Sequence, residues 1–305
     1  MAETAMALDG VSKTIRNKTI ISDLTFAIDK GEVFGFIGPN GAGKTTTIRM
    51  MVGLMKISDG DIRILGKSIK SDFKEAIQGI GAIVENPELY PFMSGWKNLK
   101  HFARMIPGIT DERILEVVRL LGMEKPINEK VGRYSLGMRQ RLGIAQALLH
   151  EPSVLILDEP TNGLDPAGMR EIRQYIRRLA VEENVAVIIS SHLLSEIELI
   201  CDRIGIIKNG ELVTTQSVHD NSDQQLSKIQ LEAAPAERAI QLLKSQHDID
   251  ASDQDGSVAF KCEKETIPAL VKTLTEQDIA IYQIKTANET LEDTFFDVIG
   301  ANTIE

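Results

Sequence analysis

The sequence predicts an α/β protein built from two blocks, and three observations lead to this prediction. First, short β-rich apolar runs alternate with helical patterns in residues 1 to about 218, at Val33–Ile37, Ile80–Val84, Val154–Leu157 and Val185–Ser190. Such continuous apolar runs are typical of strands buried on both faces of a parallel sheet. Second, a polar stretch over Asp220–Gln225 indicates a linker. Third, the block after it alternates strand-like and helical patterns in a βαββαβ order, which is typical of a small α+β sandwich.

The linker sets the expected domain boundary. We expect residues 1–218 to form the first domain, and residues 219–305 to form a linker and a small C-terminal α+β domain. In the first block, Ser22–Ile28 alternates with a period of two and ends at Lys30-Gly31, which is typical of a strand before a tight turn. Helical spacing occurs over Thr110–Leu121 and Met169–Ala180.

The second block has its own elements. We expect strands at Ile229–Leu231, Val258–Phe260 and Ile279–Ile284, and helices at Ala236–Lys244, Ile267–Leu274 and Leu291–Ile299. Asp255-Gly256 is a turn signal between them.

Composition excludes several classes of protein. The chain of 305 residues is 43% hydrophobic and 26% charged, as in ordinary globular proteins. Its net charge of −10 argues against a broad nucleic-acid-binding face but leaves a local basic patch open, and we expect no nucleic-acid partner. Cys201 and Cys262 have no metal or disulfide spacing, so we expect a reducing compartment. The start of the chain has no signal-peptide pattern, and the apolar runs are too short to cross a bilayer, so any membrane crossing falls to a partner.

A glycine-rich loop is the most informative feature. Residues Gly38–Thr45 read G-x-x-x-x-G-K-T directly after the apolar run Val33–Ile37. Glycines let successive backbone N–H groups point at phosphate oxygens, and the dipole of a following helix favours the same anion. Lys44 adds a cation near the β- and γ-phosphates, and the Thr45 hydroxyl can hold Mg²⁺. The alternative, a chance glycine-rich turn, is disfavoured by this strand–loop–helix setting.

Two carboxylates end a later apolar strand. Asp158 and Glu159 follow Val154–Leu157. Ligands bind at the carboxyl ends of strands in α/β sheets, and Mg²⁺ prefers carboxylate oxygens, so Asp158 suits a metal. Glu159 points to the other side and can orient or deprotonate an attacking water. The alternative is a pair of solvated acids at a strand end.

A second anion-binding turn has no lysine. The segment Tyr134–Gln140 precedes the helical run Arg141–Leu149. A serine and a glycine at a helix start can bind an anion. The alternative is that Ser135 simply caps an amphipathic helix.

These motifs together resemble the nucleotide-binding subunit of an ABC transporter. Gly38–Thr45 resembles the Walker A loop, and Val154–Glu159 resembles the Walker B strand with its catalytic glutamate. Ser135–Gln140 resembles the family signature L-S-G-G-Q, with Leu136 in place of one glycine.

Two further motifs extend the resemblance. Asn162–Asp165 resembles the D-loop, and His192 stands where the family's switch histidine stands. Order and spacing match over residues 7 to about 218. The implied fold is a P-loop NTPase cassette with a RecA-like core, an antiparallel β-subdomain and a helical subdomain that carries the signature.

The resemblance also implies a mechanism. Two cassettes are expected to pair head to tail around two ATP molecules, and closure would move an integral-membrane permease from the cytoplasmic face of the membrane. The implied ligands are ATP and Mg²⁺, with Thr45, Asp158 and Glu85 at the metal and Glu159, His192 and Glu85 in catalysis. The residues implied to bind ATP are Ile15, Gly38, Pro39, Asn40, Gly41, Ala42, Gly43, Lys44, Thr45, Thr46, Ser135, Gly137 and Asp165.

Two positions depart from the family pattern. Most members have a glutamine where this chain has Glu85, and an acid there resembles the subgroup that exports bacitracin-like and lantibiotic peptides. Ile15 stands where most members have an aromatic residue that stacks on adenine, so the expected base contact is apolar. Neutral drift is the alternative explanation for Glu85.

Two other functions compete with transport. An ABC ATPase acting on DNA or ribosomes usually carries long coiled coils or two cassettes, and this acidic chain shows neither. A regulatory module that binds ATP without hydrolysing it often lacks the acid at the position of Glu159, which this chain retains.

Overall fold

A computed structural model describes residues 3–191, 193–218, 227–254 and 257–287, together with Phe295. The chain divides into two compact units, and within the described residues the division follows Val218. The switch position His192 and the expected turn Asp255-Gly256 lie outside the described residues, as does the expected helix Leu291–Ile299 apart from Phe295.

The first unit is a mixed α/β structure. Its strands are β1 (Thr4–Ile15), β2 (Lys18–Asp29), β3 (Val33–Ile37), β4 (Asp59–Ile64), β5 (Lys67–Ser68), β6 (Ile80–Ile83), β7 (Val154–Asp158), β8 (Ala186–Ser190), β9 (Arg203–Lys208) and β10 (Glu211–Ser217). Its helices are α1 (Lys44–Met51), α2 (Phe73–Gln78), α3 (Gly95–Ala103), α4 (Asp111–Leu120), α5 (Leu136–Ala147), α6 (Pro166–Glu183) and α7 (Leu194–Ile200).

A six-stranded sheet forms the centre of this unit, in the order β10-β9-β3-β8-β7-β6. Strand β3 lies parallel to β8 and β9, and β7 lies parallel to β6 and β8. Every residue of β3, β7 and β8 is buried, which confirms the expected parallel sheet with both faces covered. Since β3 and β7 are adjacent to the same strand, their carboxyl ends lie at one edge of the sheet.

A four-stranded antiparallel sheet, in the order β2-β1-β4-β5, packs against the central one. Exposed and buried residues alternate along β2, as expected from its period of two, although the strand is longer than Ser22–Ile28 at both ends. Phe26 of β2 stacks on Phe34 and Phe36 of β3, with ring centroids 5.3 and 5.8 Å apart. These aromatic contacts join the two sheets into one core.

Capping side chains determine where the helices of the signature region begin. Ser94, Thr110 and Ser135 each accept a hydrogen bond from a backbone N–H in the first turn of α3, α4 and α5. Helix α5 therefore begins at Leu136, before the helical run expected from Arg141. Ser135 caps this helix, as the alternative interpretation of the segment predicted.

The second unit contains β11 (Ser227–Ala234), α8 (Ala236–His247), β12 (Ala251–Gln254), β13 (Ser257–Cys262), α9 (Ile267–Glu276) and β14 (Ala280–Ala287). Its strands form an antiparallel sheet in the order β12-β13-β11-β14, which is the ferredoxin-like arrangement. Apolar residues of the sheet and of both helices share one core. Strand β12 reads Ala-Ser-Asp-Gln at the edge of the sheet, so it lacks the apolar run that marked the other strands.

No helix among the described residues is long and apolar enough to cross a membrane.

Candidate functional site

The carboxyl edge of the central sheet borders a cavity of about 550 Å³. It brings together the glycine-rich loop, the two acids at the carboxyl end of β7 and the segment after β6. Its lining residues are Ile20, Asn40, Gly41, Gly43, Lys44, Thr45, Thr46, Glu85, Asn86, Leu136, Gln140, Asp158, Glu159 and Asn162.

Backbone geometry explains the glycines of the loop. Gly43 is the N-cap of α1 with φ 113°, and Gly41 has φ 77°, which are left-handed conformations that side chains disfavour. A Cβ atom at Gly38 would lie 2.3 Å from the Ile207 carbonyl oxygen, and one at Gly43 would lie 2.4 Å from Ile21. A Cβ at Gly41 would meet nothing within 4 Å. The loop is therefore closely packed on its protein side and open at Gly41, where it lines the cavity.

Lys44 extends along the loop at the start of α1. Its Nζ donates hydrogen bonds to the carbonyl oxygens of Gly38, at 2.5 Å, and Pro39, at 3.2 Å. Burial lowers the pKa of Lys44, and the nearby carboxylates of Glu159 and Asp158 partly oppose that shift. The cation and the two acids therefore face the same cavity at close range.

A serine that the sequence did not single out joins the two acids. The buried Asp158 accepts a hydrogen bond from the Ser190 hydroxyl. The Glu159 amide N–H lies 3.0 Å from the Ser190 Oγ and 3.2 Å from the Ser190 carbonyl oxygen, and donates to both. Glu159 has φ 52°, so the chain turns sharply directly after Asp158. Asp158 and Ser190 are paired in the register of β7 and β8, which the sequence could not reveal.

We expect Ser190→Ala to lower ATP turnover about 10-fold, because it removes the hydroxyl that bonds the Asp158 carboxylate and the Glu159 backbone N–H. Steady-state phosphate release at saturating ATP measures this effect. Ser153→Ala, at the opposite end of β7, is the matched control and should retain the wild-type rate. Unchanged turnover in Ser190→Ala, with an unchanged melting temperature, would show that the acids are oriented without this serine.

Glu85 lies at the edge of the cavity, two residues after the end of β6. It has φ 70°, and its Oε1 lies 2.6 Å from the Nη2 of Arg49 on α1. The Arg49 side chain is 42% exposed and the Glu85 side chain 61% exposed. The sequence identified Glu85 as a candidate but not its arginine partner.

Several expected nucleotide contacts lie outside the cavity lining of the single chain. These are Ser135, Gly137, Asp165 and Ile15, and, within the loop itself, Gly38, Pro39 and Ala42. Asp165 is the N-cap of α6 and accepts from the Gly168 N–H at 2.9 Å. Ile15 is 41% exposed at the end of β1, whereas Ile20 on β2 lines the cavity. Leu136, Gln140 and Asn162 line it as well, although the sequence analysis gave them no contact.

Comparison with known proteins establishes the family. The profile of the family described as "ABC transporter" matches residues 21–162. The ABC transporter ATP-binding protein YhcH of Bacillus subtilis (strain 168) is 55% identical over 98% of this chain and 97% of its own length. The chain belongs to the ABC transporter ATP-binding proteins.

Two further comparisons agree. The bacitracin transport ATP-binding protein BcrA of Bacillus licheniformis is 38% identical over 99% of both chains. A solved structure titled as the ATP-binding subunit of an ABC transporter is 28% identical, with a TM-score of 0.63, over 71% of this chain and 91% of its own. The predicted family, its bacitracin-type subgroup and the cassette fold are thereby confirmed. This ABC protein is an ATP-binding subunit and an ATPase.

Proposed function

We propose that this ABC subunit hydrolyses ATP to power a separate integral-membrane permease that exports an antimicrobial peptide or a drug. The observation that carries the ATPase part is the convergence of Lys44, Asp158 and Glu159 on one cavity. The similarity to a bacitracin transport protein along 99% of both chains supports the cargo class.

The loop and α1 bind the triphosphate of ATP. Backbone N–H groups around Gly41 and Gly43 and the start of α1 favour the phosphates, and Lys44 supplies the cation. Thr45, Thr46 and Asn40 line the same wall. Ile20 offers the apolar contact that the sequence analysis expected from Ile15.

The donor set also fits Mg²⁺. The Thr45 hydroxyl and the buried Asp158 carboxylate are hard oxygen donors on one cavity, and Ser190 orients the carboxylate. When bound, the metal ion would neutralise charge on the β- and γ-phosphates. Ser190 thus acts on catalysis through Asp158 and Glu159.

Glu159 is the proposed general base. Its backbone turns away from Asp158 and is held by Ser190, so one of the adjacent acids serves the metal and the other the attacking water. His192 is proposed, from the family motif alone, to contact the γ-phosphate.

A second cassette completes the site in this proposal. Ser135, Gly137 and Asp165 belong to family motifs for ATP and lie outside the cavity lining of their own chain, although Leu136, Gln140 and Asn162 of the same motifs line it. A head-to-tail partner, either a second copy or a related cassette, would present these residues to the ATP held by Lys44.

An exposed aromatic patch is the proposed docking surface for the permease, which would hold the subunit at the cytoplasmic face of the membrane. We define this patch as Tyr90, Phe92, Phe102 and Met105. Phe92 is 66% and Met105 63% exposed, and Tyr90 contacts the rings of Phe92 and Phe102. Apolar groups exposed together are typical of protein interfaces. The patch begins five residues after Glu85, so the segment that follows Glu85 connects the cavity to it.

Cell resistance tests the proposed transport function. Deleting the gene should raise sensitivity to a bacitracin-like peptide, wild-type protein should restore resistance, and Lys44→Ala should not. The subunit should also co-purify with an integral-membrane protein. An active ATPase with no membrane partner and no effect on resistance would contradict transport.

Glu85→Ala should bind ATP about as well as wild type, because the loop, Lys44 and the Thr45–Asp158 pair hold the triphosphate without it. It should confer less resistance in cells that contain the permease, because Glu85 begins the segment leading to the aromatic patch. Glu85→Gln tests whether charge or only an acceptor oxygen is needed. Glu75→Ala removes an exposed acid paired with Lys67 and is the matched control. Full resistance in cells with Glu85→Ala would contradict the proposal that Glu85 couples the ATP site to the permease.

The C-terminal domain is proposed to be separable from the cassette. Removing residues 226–305 should leave a folded protein with ATP affinity within about twofold of wild type, because the division follows Val218 and each unit has its own core. Calorimetric titration with ATP and a melting curve measure both properties. An insoluble product, or one without ATP affinity, would place the boundary elsewhere.

A further inference from the structure

The ion pair between Arg49 and Glu85 links the phosphate-binding helix to the segment that leads to the aromatic patch. We propose that Arg49 is a positioning residue: it holds the Glu85 carboxylate at the cavity edge and opposes its use as a ligand of the metal that accompanies ATP. This inference rests on the proposed function, and it explains how an acid is accommodated at the position of Glu85.

The helix geometry places Arg49 suitably for this role. Arg49 lies four residues after Thr45 on α1, so the two side chains lie on the same helix face, one turn apart. Thr45 lines the cavity and is the proposed metal ligand. The Glu85 carboxylate, 2.6 Å from the Arg49 guanidinium, is therefore paired with the helix that carries Thr45, and Glu85 and Thr45 line the same cavity.

The backbone conformation of Glu85 is one that is found where tertiary contacts restrain a residue. A φ of 70° is uncommon outside glycine, and such a conformation persists where surrounding contacts maintain it. The pair with Arg49 is one contact of this residue, and it joins residues 36 positions apart in the chain.

The pair has two properties that suit an exchange of partners. The Arg49 guanidinium keeps its charge at all physiological pH values, so it always competes with the metal ion for the Glu85 carboxylate. Both side chains are also substantially exposed, so the pair is weak and contributes about a two- to fivefold effect on a coupled equilibrium. Arg49 therefore favours one position of the Glu85 side chain, but the ion pair is weak enough to break.

The test is the magnesium dependence of ATP binding, followed with a fluorescent ATP analogue and without measuring turnover. Arg49→Gln should lower the Mg²⁺ concentration for half-maximal binding by about two- to fivefold, because Glu85 is released to the metal. Arg49→Lys keeps the charge and should remain close to wild type. In a Glu85→Ala background, Arg49→Gln should produce no further shift.

The control is Arg178→Gln, which removes an exposed arginine paired with Glu182 on α6, outside the cavity lining. It should leave the magnesium dependence unchanged. Wild-type magnesium dependence in Arg49→Gln would overturn the proposal, and so would an equal shift with and without Glu85, since Arg49 would then act on the metal directly. Failure of the wild-type protein to bind the analogue would instead contradict the proposed ATP site.

Discussion

Lys44→Ala is expected to abolish ATP hydrolysis and to weaken ATP binding on the order of 100-fold, since it removes a charge-assisted contact to the phosphates. Lys44 donates to a loop carbonyl oxygen and lies near the carboxylates of Asp158 and Glu159. Truncation to alanine would therefore leave the phosphates facing two acids without this cation. Calorimetric titration and phosphate release measure the two effects. Lys67→Ala, an exposed lysine paired with Glu75, is the control and should behave as wild type.

The pH dependence of ATP binding provides a second measurement of Lys44. Burial lowers the pKa of this lysine, so it loses its charge at a lower pH than an exposed lysine does. ATP affinity should therefore begin to weaken at a lower alkaline pH than an exposed lysine would give. The alanine variant should lack this pH response. Wild-type hydrolysis in Lys44→Ala would contradict the assignment of the phosphate loop.

Glu159→Gln is expected to keep ATP affinity and to reduce hydrolysis by about 1,000-fold, because an amide keeps the shape of the side chain but cannot take a proton. The backbone contacts from the Glu159 N–H to Ser190 do not depend on the carboxylate and should persist. With hydrolysis stopped, the ATP-bound pair of cassettes should accumulate. Gel filtration with Mg²⁺ and ATP should then show a species of twice the mass.

The double variant Lys44→Ala, Glu159→Gln is the matched control for that experiment. At an ATP concentration that just saturates Glu159→Gln it should remain monomeric, because loss of Lys44 weakens ATP binding on the order of 100-fold. A monomer of Glu159→Gln at saturating ATP would count against paired cassettes, and near wild-type hydrolysis would count against Glu159 as the base.

Contiguous motifs are the part of the site that could be predicted without coordinates. The loop Gly38–Thr45 and the acids Asp158 and Glu159 each lie in one short stretch of chain after an apolar strand. Because a buried strand ends where its apolar run ends, their place at the sheet edge followed from the pattern. The order of the strands could not be predicted from the pattern, since β3 lies between β8 and β9, which are far from it in the chain.

The sequence by itself determined the family, the class of fold and the position of the glycine-rich loop, because local spacing specifies strands, a turn and a helix start. Only the tertiary structure decided which distant side chains complete the site. Ser190 reaches Asp158 across 32 positions, and Arg49 reaches Glu85 across 36. The physical reason is that parallel strands are joined by long crossovers, so neighbours at the sheet edge are set by strand order and register rather than by chain proximity.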